Sequence, residues 1–265
     1  MEKGAPPLKP FASRAMKDRL TFMIGHNPGR IHFFKSIDST NAYLKARPDL
    51  YREPFTVIWA DEQTAGRGRK GRSWQAKPGL DVTFTLSVPA WFSPPLYSIL
   101  AGVSAVKTLR SMGFLEVWIK YPNDLYWGGK KLGGILSESP EAAIVLIGLG
   151  INVNSNSVEH ASLLQISGAE TDREVLLHSL VTDLQLFLEK IQSGAVREEL
   201  PREVLDAFAE FSPHRRVTVH PLVGNVFEAE IQGLSSVGNI VLQKKDGSVV
   251  SVGDECSFDY SLNLV

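Results

Sequence analysis

The sequence predicts a chain of mixed α and β elements that closes in a small all-β unit, and three observations carry this reading. Strand-like apolar runs between residues 31 and 151 are interrupted by one long helical stretch at 94–112. Thr171-Asp172-Arg173-Glu174, a capping-box pattern, and Pro201 then open two amphipathic helices, the first to about Gln192 and the second through Phe211. From Arg215 the character changes: 217–219, 226–231, 240–242 and 249–250 are short alternating strands split by Gly224-Asn225, Gly238-Asn239 and Asp246-Gly247, which reads as a small barrel. A domain boundary is expected near Ser212, dividing the chain into an extension at 1–30, a main unit at 31–212 and a terminal unit at 213–265.

Taken in order, the extension holds Pro6, Pro7 and Pro10, a weak helical patch and the turn His26-Asn27-Pro28-Gly29. Ile31-His32-Phe33-Phe34 reads as a strand leading into Asp38-Ser39-Thr40-Asn41, where Ser39 or Thr40 would cap the helix that follows. Spare hydroxyls and amides at such a helix start could equally hold a polar ligand. Strands at 55–61 and 80–88 flank Gly66-Arg67-Gly68-Arg69-Lys70-Gly71-Arg72-Ser73-Trp74, which packs four positive charges into six residues between flexible glycines. It reads as a loop built to grip an anion, since the arginine fork makes paired bonds to phosphate or carboxylate. A solvated basic loop or an arginine-glycine patch for nucleic acid is the competing reading. Gln63, just before the loop, can both donate and accept beside whatever the arginines hold.

Gly113 stops the long helix, and 116–120 alternates as a strand into Tyr121-Pro122-Asn123-Asp124, where proline ends regular pairing. Leu125-Tyr126-Trp127 and 130–136 form a hairpin around Gly128-Gly129, with Asp124 and Lys131 on opposite arms. The apolar run 142–149 is a buried strand ending in Gly148-Leu149-Gly150-Ile151-Asn152, whose glycines admit a close neighbour.

Composition narrows the function. The chain has 265 residues, 43% hydrophobic, with 28 basic against 29 acidic residues and a net charge of −1. No global field recruits nucleic acid, so an anion site has to be local. Cys256 is the single cysteine, which excludes an internal disulfide and fits a packed side chain in a reducing compartment. Signal-peptide and membrane-spanning patterns are missing, so a cytoplasmic location is expected. Metal-site spacings, a Walker loop and a serine nucleophile elbow are missing too.

Five ordered motifs then narrow it further: Asp38-Ser39-Thr40-Asn41, the run from Gln63 to Trp74, Lys120-Tyr121-Pro122-Asn123-Asp124-Leu125, Lys131-Leu132-Gly133-Gly134-Ile135-Leu136, and Gly148-Leu149-Gly150-Ile151-Asn152. In these the chain from about Ile31 to Val265 resembles the biotin protein ligases, or holocarboxylase synthetases, in their bacterial form. The family's usual Trp is Tyr121 here. The winged helix-turn-helix of the repressor-ligases is missing before Ile31, so no DNA binding is expected.

The resemblance implies an α+β fold: a mixed, mainly antiparallel sheet with helices on one face, a class II synthetase-like catalytic domain, followed by an SH3-like barrel. It also implies a two-step reaction with ATP, biotin and Mg2+. The biotin carboxylate attacks the α-phosphorus, pyrophosphate leaves, and a lysine of a biotin carboxyl carrier domain then takes biotin from the adenylate. It assigns Arg69 and Lys131 to catalysis, and Asp124 to receive or orient the incoming lysine, as base or as counter-charge. Ser39, Thr40, Asn41, Gln63, Arg67, Gly68 and Gly134, with Arg69 and Lys131, would hold biotin. Arg72, Trp74 and Asn152, with the same two cations, would hold ATP. A monomer or weak homodimer is expected. A lipoate or octanoate ligase of the same fold, or a nucleic-acid-binding module using residues 67–72, are the alternatives; Gln63 and the Ser39-Thr40-Asn41 cluster favour biotin over an apolar acyl chain.

Overall fold

The structure is a computed structural model that describes residues 30–194, 199–213, 216–253 and 255–261; the predicted extension lies outside them, except for Arg30. Seven strands, β1 (Ile31–Phe34), β2 (Val57–Ala60), β3 (Val82–Pro89), β4 (Trp118–Lys120), β5 (Asp124–Trp127), β6 (Lys130–Glu141) and β7 (Ile144–Ile151), form one sheet in the order β1-β2-β3-β7-β6-β5-β4. β1 runs parallel to β2, and the other neighbours are antiparallel. This is the mixed, mainly antiparallel sheet expected.

Successive strand side chains point to opposite faces. Phe33, Val57 and Trp59 therefore enter one apolar cluster while Phe34, Ile58 and Ala60 enter another. The helices are α1 (Thr40–Lys45), α2 (Pro48–Tyr51), α3 (Pro94–Ser111), α4 (Leu163–Ser167), α5 (Arg173–Gly194) and α6 (Arg202–Phe211). α3, α5 and α6 contribute to the first cluster, whereas α1 and α2 bring Leu44 and Tyr51 to the second. The expectation of helices on one face is thus corrected: the long helices obey it, and two short ones cover the other face. Ile58, Ala60, Ile144 and Leu146 would otherwise present an apolar surface to water there.

The start of α5 also differs from its sequence pattern. Asp172 Oδ1 accepts from the amides of Glu174 (2.9 Å) and Val175 (3.2 Å), so Asp172 is the cap. Thr171 is instead bound through its backbone to the Asn154 side chain, at 2.9 and 3.0 Å.

Where a barrel was predicted, β8 (Arg216–His220), β9 (Phe227–Leu234), β10 (Ile240–Lys244), β11 (Val249–Val252) and β12 (Ser257–Tyr260) form a five-stranded antiparallel sheet with β11 and β12 at its edges. β12 was not foreseen; Phe258 and Tyr260, two apart, were its faint signal. The two sheets share one core, which runs from Trp59 and Leu125 to Val217, Ile231 and Phe258.

Tyr121 stands at the junction. Its ring meets Phe258 edge-on at 5.4 Å, its hydroxyl donates to the Gly238 carbonyl at 3.2 Å, and its amide donates to the Tyr260 hydroxyl at 3.1 Å. Burial pushes the Tyr260 phenol far above its ordinary pKa, so it stays neutral. Tyr260→Phe strands a buried amide and is expected to destabilise the fold by about 1 to 3 kcal/mol. A thermal melt should show a Tm lowered by several degrees, and an unchanged Tm would mean that water replaces the hydroxyl.

Candidate active site

Every predicted site residue except Asn152 lines one cavity of about 380 Å³ on the rim of the main sheet. Asn152 is 7% exposed, and its amide donates to the carbonyls of Ala161 (2.9 Å) and Lys131 (3.5 Å). Its NH2 is thus held by the backbone of Ala161 and of the strand that carries Lys131.

The first wall is the start of α1. Ser39 is the helix cap, its hydroxyl accepting from the Ala42 amide at 3.4 Å. Thr40 donates to Gln63 Oε1 from its backbone at 2.8 Å and from its hydroxyl at 3.0 Å, so the Gln63 carbonyl is taken and its NH2 is left for a ligand acceptor. Asn41 is buried behind them, tied to Thr85 and Glu138.

The second wall is the β5–β6 hairpin. Asp124 pairs with Gly134, and a bulge between Leu125 and Tyr126 puts Lys131 opposite Tyr126. Lys131 reaches back diagonally until its Nζ lies 2.8 Å from Asp124 Oδ1, close enough for an ion pair although not aligned as a hydrogen bond. Gly134 makes room for this, since a Cβ there would stand 3.2 Å from the ammonium. The Lys131 ammonium also sits 5.8 Å from the centre of the Trp74 ring.

The basic loop forms the third wall. It is closed on itself by Gly68 N–H to the Arg72 carbonyl (2.7 Å) and Trp74 N–H to the Gly66 carbonyl (2.9 Å). Lys70 (φ 54°) and Gly71 (φ 75°) turn the chain in the left-handed region. Arg69 Nη1 donates to Asn123 Oδ1 at 3.1 Å, and Asn123 is itself held to Ile135 by its side chain and its backbone, at 3.0 and 2.9 Å. Lys70 Nζ reaches the Glu255 carbonyl at 3.1 Å, linking the loop to the second sheet.

Trp74 is seated by the absence of side chains beneath it. A Cβ on Gly150 would lie 2.4 Å from the indole. The indole Nε1–H is buried without a hydrogen-bond partner. Gly150→Ala is expected to expel Trp74 from this seat while β7 stays paired, because β7 tolerates a methyl but the contact does not. Faster amide exchange across 66–74 with unchanged far-UV circular dichroism would show it, and unchanged exchange would contradict it.

The cavity also holds groups that were not singled out from the sequence. Lys120 lies near the rings of Tyr126 (5.2 Å) and Tyr260 (5.4 Å), and burial pulls its ammonium below the ordinary lysine range against the opposing pull of Asp124 and Asp259. Asn123 and Lys120 belong to a motif that was quoted, so their signal was present. Thr85, behind the cavity wall, had one too: Thr83, Thr85 and Ser87 put hydroxyls at alternate positions of a strand buried as far as Val88, a pattern that calls for polar partners. Among the described residues no group of three His, Cys, Asp or Glu side chains is arranged to hold a metal, and no helix is long and apolar enough to cross a membrane.

A mixed sheet that brings an amide-lined pocket, a lysine–aspartate hairpin and an arginine loop to one rim defines a class of protein. Residues 33–154 match the biotin/lipoate A/B protein ligase family, and the chain belongs to that family.

Its particular relatives are biotin ligases. The biotin–[acetyl-CoA-carboxylase] ligase of Mycobacterium tuberculosis is 33% identical over 190 residues, 66% of this chain and 70% of the relative. The bifunctional ligase/repressor BirA of Escherichia coli is 34% identical over 194 residues, 68% of this chain and 60% of the relative. The chain thus spans about three fifths of the length of BirA from Escherichia coli and Salmonella typhimurium, at 60% and 61%. Among solved structures, the biotin protein ligase from Aquifex aeolicus in complex with biotin and ATP superposes with a TM-score of 0.76 at 24% identity, covering 88% of this chain and 100% of that one; this likeness speaks to the fold.

Proposed function

We propose that the protein is an ATP-dependent biotin protein ligase, which activates biotin as biotinyl-5'-AMP and passes it to a lysine of a biotin carboxyl carrier domain, such as that of acetyl-CoA carboxylase. The observation that carries this reading is the polarity of the cavity. Its lining combines one set of hydrogen-bonding groups, around Gln63, Thr40 and Ser39, with a second set of cations, Arg69, Arg72 and Lys131. The first suits a ureido ring, which both donates and accepts; the second suits a carboxylate meeting a triphosphate.

In the first step a carboxylate oxygen attacks the α-phosphorus and the bond to the β-phosphate breaks. Lys131 and Arg69 neutralise the two anions and hold them in line. Trp74 and Arg72 face the nucleotide side, and Arg67, Gly68 and Gly134 shape the biotin side. In the second step the acceptor amine attacks the acyl carbon and AMP leaves. Asp124 is placed to orient that amine or to take its proton, once Lys131 is engaged by the ligand. Mg2+ is expected to arrive with the phosphates it neutralises, since among the described residues no three His, Cys, Asp or Glu side chains are grouped to hold a metal.

We further read 31–212 as the catalytic unit and 213–265 as an SH3-like barrel closing over the nucleotide side, supported by the bond from Lys70 to Glu255 and by Cys256 and Asp259 at the cavity wall. The enzyme is expected to act in the cytoplasm as a monomer or weak homodimer. Pyrophosphate exchange measured with biotin, lipoate and octanoate tests the assignment. Exchange with biotin and a carrier domain labelled on lysine is the expected result, and exchange only with lipoate or octanoate would overturn it.

A further inference from the structure

The polar cluster behind α1 is ordered by Asn41, a residue of the cavity lining whose head group is engaged within the protein. Both ends of the Asn41 amide are occupied: Oδ1 accepts from Thr85 Oγ1 at 2.5 Å, and Nδ2 donates to Glu138 Oε2 at 3.0 Å and to the Leu136 carbonyl at 3.4 Å. A Cβ on Gly148 would lie 2.1 Å from Asn41 Oδ1, so β7 is cut away to admit this amide.

Glu138, on β6, is partly buried, which alone would raise its carboxyl. Hydrogen bonds from Asn41 and from Lys45 (2.9 Å) outweigh this and hold it below the usual carboxylate range. An ionised carboxylate only accepts. Asn41 must therefore turn its NH2 toward Glu138 and its oxygen toward Thr85. Thr85 Oγ1 is within donor reach of both Asn41 Oδ1 and Thr40 Oγ1, the latter 2.8 Å away, so it ties two successive residues at the start of α1 to β3. Thr40 in turn gives both its backbone amide (2.8 Å) and its hydroxyl (3.0 Å) to the Gln63 carbonyl, so Gln63 is left with its NH2 for the cavity.

We propose that Glu138 is a positioning residue for the biotin end of the cavity: by fixing Asn41, and with it Thr85, it seats the start of α1 so that both Thr40 donors stay on the Gln63 carbonyl and the wall offers the Gln63 NH2 to the ureido carbonyl of the ligand. The inference rests on the biotin reading of this site. It makes Asn41 the link between Glu138 and that wall.

The test reverses one bond of the relay. Asn41→Asp sets two carboxylates against each other, and the KM for biotin in pyrophosphate exchange should rise roughly ten- to a hundredfold, as for a buried group left unmatched. The KM for ATP should stay within about twofold, because only the biotin end has lost binding. Adding Glu138→Gln supplies an NH2 to the new carboxylate and keeps an oxygen toward Thr85, so the double variant should regain a biotin KM within about fivefold of the parent. A purely structural role would move both KM values and the melting temperature together.

A double variant no better than Asn41→Asp, or an Asn41→Asp protein with parental biotin KM, overturns the proposal. Should Asn41→Asp fail to fold, Glu138→Ala serves: a raised biotin KM at constant ATP KM supports the relay, and a parental biotin KM sinks it. A parent enzyme without biotin-dependent exchange removes the biotin reading and the inference together, whereas an active parent with an unrescued double variant removes the inference alone.

Discussion

Lys131→Ala is expected to slow adenylate formation by about two to three orders of magnitude while the protein stays folded. The ammonium is at the cavity wall, 31% exposed, so its removal leaves little void in the core. What it removes is the cation carried by the hairpin wall, held there by Asp124 and the Trp74 ring. Charge grows on phosphate oxygens as pyrophosphate departs, so a preplaced cation is worth more at that moment than in the resting complex. The loss should therefore appear in kcat as well as in kcat/KM. Single-turnover release of pyrophosphate with saturating biotin and ATP measures it. A parental rate would reduce Lys131 to a structural counter-ion for Asp124.

Arg69→Gly is expected to make the enzyme leak its intermediate. The arginine is braced by Asn123, which is bound on both sides to Ile135, so its guanidinium is directed rather than free to wander. Replacing it removes a charge-assisted contact worth about 1.5 to 3 kcal/mol. The added glycine freedom contributes about another 0.5 to 1 kcal/mol against closure of the loop. Together these correspond to adenylate escape faster by about one to two orders of magnitude. The released mixed anhydride would acylate lysines of a bystander albumin, which the parent should leave unlabelled.

Lys70→Gly is the control. Lys70 already occupies φ 54°, where glycine fits without strain, and the change gives up the contact to Glu255 but keeps Arg69. Bystander labelling by Lys70→Gly equal to that by Arg69→Gly would assign retention to loop order. Labelling by neither, with adenylate still formed, would remove Arg69 from the clamp.

Much of this architecture was legible in the chain because local chemistry specifies it. The continuous apolar runs of β2 and β7, the prolines opening α3 and α6, and the glycines of the β5–β6 turn need only near neighbours to be read. The loop with four cations in six residues, and the motif residues around it, are likewise stretches in which position along the chain is also position in space.

What escaped lies where distant segments meet. Alternation places Thr85 on a particular face of β3, but only packing brings it to Asn41, 44 residues away, and brings Asn41 to Glu138, 97 residues away. The same holds for Asn152, whose NH2 is brought to the backbone carbonyls of Ala161 and Lys131 only by packing. Likewise, the hairpin puts Asp124 and Lys131 on opposite arms, but the bulge and the bare backbone of Gly134 decide that they meet on a diagonal. The sequence by itself thus determined the elements, the cationic loop and the residue types offered at each strand end. The tertiary structure alone decided which of those polar groups face the cavity and which are consumed satisfying one another, because a buried donor or acceptor takes whichever partner the assembled sheet brings within about 3 Å.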